Sequence, residues 1–194
     1  MPNIGAFISY VLITTFTPGP NNLMSMSNAS RYGVRKSIHF NFGVFAGFFT
    51  LLMLSNLFSA TLYRVIPAIK PIMTLLGATY ILYLAYKIYT SKPKENGDTT
   101  SRTTKFSTGL LLQFVNIKGI IYSITTASTF IIPYYNSILV FLFFSLSLAT
   151  IALISTVSWA FFGSFFQKFM NEHYKIVNTV MALLLVYTAI TILI

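Results

Sequence analysis

The feature that most constrains this chain is the length of its apolar runs. Its 13 basic and 3 acidic residues are clumped, and between the clumps lie stretches long enough to cross a bilayer. A hydrocarbon core of about 30 Å requires roughly 20 mainly apolar residues per helix. Inside it every backbone N–H and C=O must be paired internally, which leaves helix bundles and closed barrels. These runs lack strand-like alternation and are too long for barrel strands, so helices are expected. Charged residues make up 8% of the 194, against roughly 25% in an average soluble domain. A soluble fold of this length would need far more charged surface.

Six transmembrane helices are predicted. The first runs from residue 4 into the late twenties, interrupted by Pro18-Gly19-Pro20. A basic hinge at 31–36 leads to the second span, 37–62. Arg64 and Lys70 flank a turn at Pro67 before the third span, 71–89. A polar linker, 91–105, holds Lys92, Lys94, Glu95, Asp98, Arg102 and Lys105. The fourth span is 106–132, and a turn at 133–136 leads to the fifth, 137–162. An amphiphilic loop, 167–175, precedes the sixth span, 176–194.

Sorting the charges by side gives an orientation. With the N-terminus outside, the inner loops collect Arg31, Arg35, Lys36, Lys87, Lys92, Lys94, Arg102, Lys105, Lys168 and Lys175, and the outer loops only Arg64 and Lys70. Basic residues mark cytoplasmic loops, so both termini are expected outside. This topology also accounts for the net charge of +10 without a nucleic-acid partner. The N-terminus has no basic n-region and does not read as a cleaved signal.

There is no cysteine, which excludes disulfides, iron–sulfur ligation and thiolate zinc sites. His39 and His173 are too far apart in sequence for a convincing metal site, and His39 reads as an interfacial residue. No metal or other cofactor is expected. Tyr63, Tyr89, Tyr134, Tyr135 and Tyr174 sit near span ends, as an interfacial aromatic belt would. Tyr80 and Tyr83, inside the third span, either pack between helices or line a pathway. Gly43 and Gly47 form a small-x-x-x-small pair, a sign of close helix packing.

The chain carries a weak internal repeat. An offset of 98 residues lays Pro18-Gly19-Pro20 on Asn116-Ile117-Lys118, Ser25 on Ser123, and Ala29-Ser30 on Ala127-Ser128. Each half would hold three spans, so the halves enter the membrane from opposite sides as inverted repeats. The expected organisation is a first repeat at 1–90, a cytoplasmic linker at 91–105 and a second repeat at 106–194. Inverted repeats are a common transporter architecture, with binding near the midplane on interrupted helices.

Two places carry chemistry. Proline lacks an N–H and clashes with the carbonyl four residues back. Pro18 therefore frees the carbonyl of Thr14, and Pro20 that of Phe16. A new half-helix would start at Asn21-Asn22, with its free N–H groups and positive dipole end favouring a carboxylate. The freed carbonyls can accept from an ammonium group, so one broken helix offers partners to both ends of a zwitterion. The plain alternative is an ordinary proline kink. Lys118 is the one basic residue predicted well inside a span, and an intramembrane charge is a functional hypothesis by default. It either meets a substrate carboxylate or caps backbone carbonyls or snorkels to the interface. Gln113 and Asn116 supply uncharged hydrogen bonding nearby. The acids Glu95, Asp98 and Glu172 all fall in predicted inner loops. That leaves no intramembrane carboxylate relay, acid–base triad or zinc-protease motif, and there is no phosphate-binding loop for ATP hydrolysis. An enzyme is therefore not expected.

At these same residues the chain resembles the LysE/RhtB amino-acid exporters over essentially its whole length. The resemblance rests on Thr17-Pro18-Gly19-Pro20-Asn21-Asn22, the Gly-rich second span, and Gln113-Phe-Val-Asn116-Ile-Lys118. With Ala127-Ser-Thr-Phe130 and Ala182-Leu-Leu-Leu-Val-Tyr187, it is most similar to the cysteine/O-acetylserine branch. Many members carry proline where this chain has Ile117, so the sequence supplies no proline to break the fourth span. The resemblance implies secondary, proton-driven efflux of small neutral amino acids or derivatives across the bacterial inner membrane. It also implies roles for Pro18, Gly19, Pro20, Asn116 and Lys118. The expected partners are the amino-acid substrate and the lipid bilayer, and a homo-oligomer stays open. Competing readings are export of homoserine, threonine or leucine, export of a cation, or a non-transporting membrane scaffold.

Overall fold

The computed structural model describes residues 4–90 and 102–193, with side chains outside 59–70, 73–74, 170–171 and 192–193. The described residues are helical and contain no strand. Eight helices follow one another: α1 (Ile4–Phe16), α2 (Pro20–Tyr32), α3 (Val34–Tyr89), α4 (Phe106–Val115), α5 (Ile117–Thr125), α6 (Ile138–Phe165), α7 (Gln167–Glu172) and α8 (Tyr174–Leu193). A 3₁₀ turn, Arg102–Thr104, precedes α4, and a π-helical turn, Thr126–Ile131, continues α5.

Three stretches are long and apolar enough to cross a membrane: Val34–Phe58, Ile138–Phe165 and Tyr174–Thr191. A fourth candidate is broken, with Phe106–Val115 and Ile117–Ile131 meeting at 66°. At 1.5 Å per residue, the 28 residues of α6 extend about 42 Å, more than a hydrocarbon core. The outer surface is strongly apolar: Leu139, Phe143, Phe165 and Tyr187 are each about two-thirds exposed or more. Meanwhile Ser25, Asn41, Gln113, Ser145 and Ser155 are fully buried. Lipid rewards this arrangement, because apolar side chains face the tails while polar ones find partners inside the bundle.

α3 is helical over 56 residues and has non-helical dihedrals at Phe58. Its two halves pass α4 in opposite senses. Along the first half, Phe40 meets Gly109 while Gly47 meets Leu110 and Gln113. Along the second, Gly77 meets Val115 and Ile117, and Ile88 lies beside Thr103. The run therefore doubles back between Phe58 and Gly77. It does so without the separate turn expected at Pro67. The backbone there stays helical apart from Phe58. The side chains of Tyr63, Arg64 and Lys70, and the linker residues Lys92, Lys94, Glu95 and Asp98 altogether, lie outside what the structure describes.

Glycines set the closeness of the bundle. A Cβ on Gly43 would run into the Phe106 carbonyl, one on Gly109 into the Phe40 carbonyl, and one on Gly163 into the Met26 carbonyl. The Gly43/Gly47 pair thus packs α3 on α4 as its spacing predicts. Gly33, between α2 and α3, has φ 78° and ψ 159°, a region essentially restricted to glycine. Its N–H bonds the Ala29 carbonyl at 2.9 Å, closing α2 before the chain turns.

Apart from Lys118, the described basic residues fall at or near helix ends. Arg31 at the end of α2, Lys87 near the end of α3 and Thr103 line a common recess. Arg31 donates to Asn178 at the start of α8, at 3.1 Å. Glu172 pairs only with Lys168, at 4.0 Å and largely exposed.

Candidate functional site

The predicted interruption of the first span is present: α1 stops at Phe16 and α2 starts at Pro20. Gly19 is the N-cap and Pro20 takes the first helical position, where its missing N–H costs nothing. The carbonyls released by the two prolines are taken up by protein. The Thr17 hydroxyl donates to the Thr14 carbonyl at 3.0 Å. Asn22 Nδ2 reaches the Thr15 and Thr17 carbonyls at 3.0 and 2.9 Å. Ser155 of α6 donates to the Thr15 carbonyl at 3.0 Å, and Trp159 Nε1 to the Phe16 carbonyl at 3.3 Å. The break is thus a built feature held by α6, and carbonyls 14–16 already have donors.

The fourth span is broken as well, though it lacks the proline. Asn116 ends α4 and begins α5 with φ −83° and ψ 91°, and its Oδ1 accepts from the Gly119 N–H at 3.4 Å. Asparagine is among the strongest N-caps because its short side chain satisfies an orphan N–H of the first turn. Ile117 occupies the first position of α5, buried against Gly77. The break is therefore made by the cap rather than by a ring at position 117.

The two breaks meet. Asn21 Nδ2 donates to Gln113 Oε1 at 2.9 Å, and Gln113 Nε2 returns a bond to Asn21 Oδ1 at 3.1 Å. Asn116 Nδ2 donates to the same Asn21 oxygen at 3.2 Å. Gln113 also donates to the Gly109 carbonyl at 2.9 Å, which fixes its amide. Lys118, in the first turn of α5, reaches across to the other break. Its Nζ donates to Thr17 Oγ1 at 2.9 Å, to the Thr17 carbonyl at 3.3 Å and to the Pro18 carbonyl at 3.4 Å. All three acceptors are neutral. A desolvated ammonium held only by neutral oxygens still favours an anion.

Between the breaks lies a small pocket, with a cavity volume of about 50 Å³. Gly19, Pro20, Asn21, Asn22, Asn116 and Lys118 line it. Thr17, Pro18 and Gln113 stand behind that wall, positioning Lys118 and Asn21. The N-termini of α2 and α5 both open on the pocket, adding two positive dipole ends to the lysine. Around this polar patch the walls are Phe48 of α3, Tyr122 of α5 and Ala152 of α6, with Thr14, Thr15 and Thr156 between them. These wall residues carry no sequence signal of their own. They come from separate helices and look like ordinary span residues until the bundle assembles. Tyr80 and Tyr83 do not line this pocket. They contact each other at 6.2 Å, Tyr80 against the core and Tyr83 exposed.

A helical membrane bundle with two interrupted helices facing one polar pocket defines a translocator. The sequence model of the LysE type translocator matches residues 12–194, and the chain belongs to that family of multi-pass bacterial inner-membrane proteins. It is 38% identical over 189 residues to the cysteine/O-acetylserine efflux protein of Escherichia coli (strain K12), covering 97% of this chain and 96% of that protein. It is 39% identical, with the same coverage, to the protein of that name from Escherichia coli O1:K1 / APEC, and 38% identical to that of Shigella sonnei (strain Ss046). No solved structure matches the chain.

Proposed function

We propose that this protein is a secondary active exporter of small neutral amino acids or their derivatives, of the cysteine/O-acetylserine type, working from the bacterial cytoplasm. The observation that carries the reading is the meeting of the two helix breaks, with Lys118 and two helix N-termini on one pocket. The substrate carboxylate meets Lys118 and the N–H groups at the start of α2 and α5. The substrate ammonium meets the Thr14, Thr15 and Thr156 side of the pocket. Thr17, Pro18 and Gln113 keep Lys118 and Asn21 in place. The relatives' names supply the substrate type.

In this reading six spans form two inverted halves, 1–90 and 106–194, joined by a cytoplasmic linker, with both termini outside. Support comes from the N-caps of the two breaks, Gly19 and Asn116, which correspond within one residue under the 98-residue offset. Rocking of the halves about the shared pocket would expose it alternately to the two sides.

The test is efflux from cells loaded with an amino-acid panel including cysteine and O-acetylserine. It compares intact protein, Lys118→Ala at matched membrane abundance, and empty vector. Losing one charge-assisted contact of about 1.5–3 kcal/mol predicts a drop in rate of roughly ten- to hundredfold in the variant. Equal release by variant and intact protein would remove Lys118 from the site. No release above empty vector would end the exporter reading.

A further inference from the structure

Lys118 and Tyr122 are four residues apart on α5, so both side chains stand on one helix face, about 6 Å apart along the axis. Both line the pocket. The Tyr122 ring is stacked on Tyr10, with centroids 5.6 Å apart and 13° between the planes. It is tilted against Phe48, with centroids 5.4 Å apart. The residue is 3% exposed; its buried hydroxyl lies near the Thr15 and Thr126 side chains but makes no hydrogen bond of ordinary geometry. Thr126, one turn further along, is fully buried, and its hydroxyl likewise makes no hydrogen bond of ordinary geometry. Thr126 opens the π-helical turn, a rare geometry that is frequent at functional sites. Buried hydroxyls of tyrosine normally find a partner. Such a phenol, in the wall of a pocket, is placed to bond a group that occupies it.

We infer that Tyr122, backed by Thr126, is the specificity-determining element of the site and hydrogen-bonds a polar acyl or hydroxyl group on the side chain of the exported amino acid. This rests on the functional reading above, which puts the substrate's carboxylate at Lys118. One helical turn is the reach from that carboxylate to the ester carbonyl of an O-acylated serine. The phenol O–H is a good donor to such a carbonyl, whereas a thiol is a weak hydrogen-bonding group. Phe48 and Ala152 supply the apolar remainder of the subsite. Tyr122 thereby favours O-acetylserine over cysteine, by a contact the smaller side chain does not make.

The experiment uses the full chain in proteoliposomes, with counterflow of labelled O-acetylserine and labelled cysteine measured in parallel for intact protein, Tyr122→Phe and Thr126→Val. Tyr122→Phe keeps the ring packing on Tyr10 and Phe48 and removes only the hydroxyl. The expected result is that the ratio of O-acetylserine to cysteine transport falls about three- to tenfold in Tyr122→Phe, the size of one neutral hydrogen bond, and falls less in Thr126→Val. An unchanged ratio in both variants, or both substrates falling in step, overturns the assignment while leaving the exporter reading intact. If intact protein moves neither substrate, the exporter reading fails and the subsite assignment with it.

Discussion

Gly19 shows how narrowly the site is built at the scale of single residues. Its φ of −174° is ordinary extended backbone, open to any side chain, so its smallness serves space rather than conformation. A Cβ there would lie 3.2 Å from Lys118 Nζ and 3.3 Å from Cδ, tighter than relaxed contact. Gly19→Ala should therefore leave the unfolding temperature in detergent unchanged and lower the export rate by pushing the lysine off Thr17 and Pro18. A large fall in unfolding temperature would show that the glycine serves packing instead. Lys118 itself combines two of the roles the sequence offered. It caps the carbonyls of the opposite break, and it does so from inside the pocket. Its three neutral acceptors leave the charge unmatched, which is what a zwitterion's carboxylate would exploit.

Helix breaks organise the next scale. If the second break is made by the Asn116 cap, then Asn116→Ala should be costly and Ile117→Pro mild. The alanine variant loses a cap worth about 1 kcal/mol together with the bond to Asn21. The proline variant occupies a first-turn position where the ring is tolerated. Efflux measured for the pair should show loss in Asn116→Ala and retention in Ile117→Pro; the reverse order would place control of the break at position 117. Gly33 offers a second check on an element boundary. Its backbone conformation costs about 1–3 kcal/mol for any other residue. Gly33→Ala should lower the unfolding temperature while the substrate preference of the surviving protein stays as it was. A shift in preference would tie the α2–α3 turn to the pocket.

At the scale of the whole molecule, the proposal is an orientation. The natural absence of cysteine makes it easy to map. Asn136→Cys, on the turn before α6, should react with a membrane-impermeant thiol reagent added to intact cells. Arg35→Cys and Lys105→Cys, on the proposed cytoplasmic side, should react only after permeabilisation. All three positions are exposed, so a reversed pattern would invert the assigned topology. In the proposed orientation the recess of Arg31 and Lys87 faces the cytoplasm.

What the sequence determined by itself was whatever depends on local covalent chemistry and on the solvent. Long apolar runs required membrane helices. Pro18 and Pro20 required a break and named the carbonyls it would free. Gly43 and Gly47 required close packing, and a lone lysine among apolar residues marked the site. Tertiary structure decided everything that needs two segments to meet. The donors to the freed carbonyls come from Thr17 and Asn22 nearby but also from Ser155 and Trp159 on α6. The second break is a cap at Asn116, which a search for proline could not register. Asn21, Gln113 and Asn116 form one amide cluster across more than ninety residues of sequence. Phe48, Tyr122 and Thr156 became pocket walls only because α3, α5 and α6 converge there. Side chains on separate helices carry no shared periodicity, so nothing in the one-dimensional pattern could assign them to a common site.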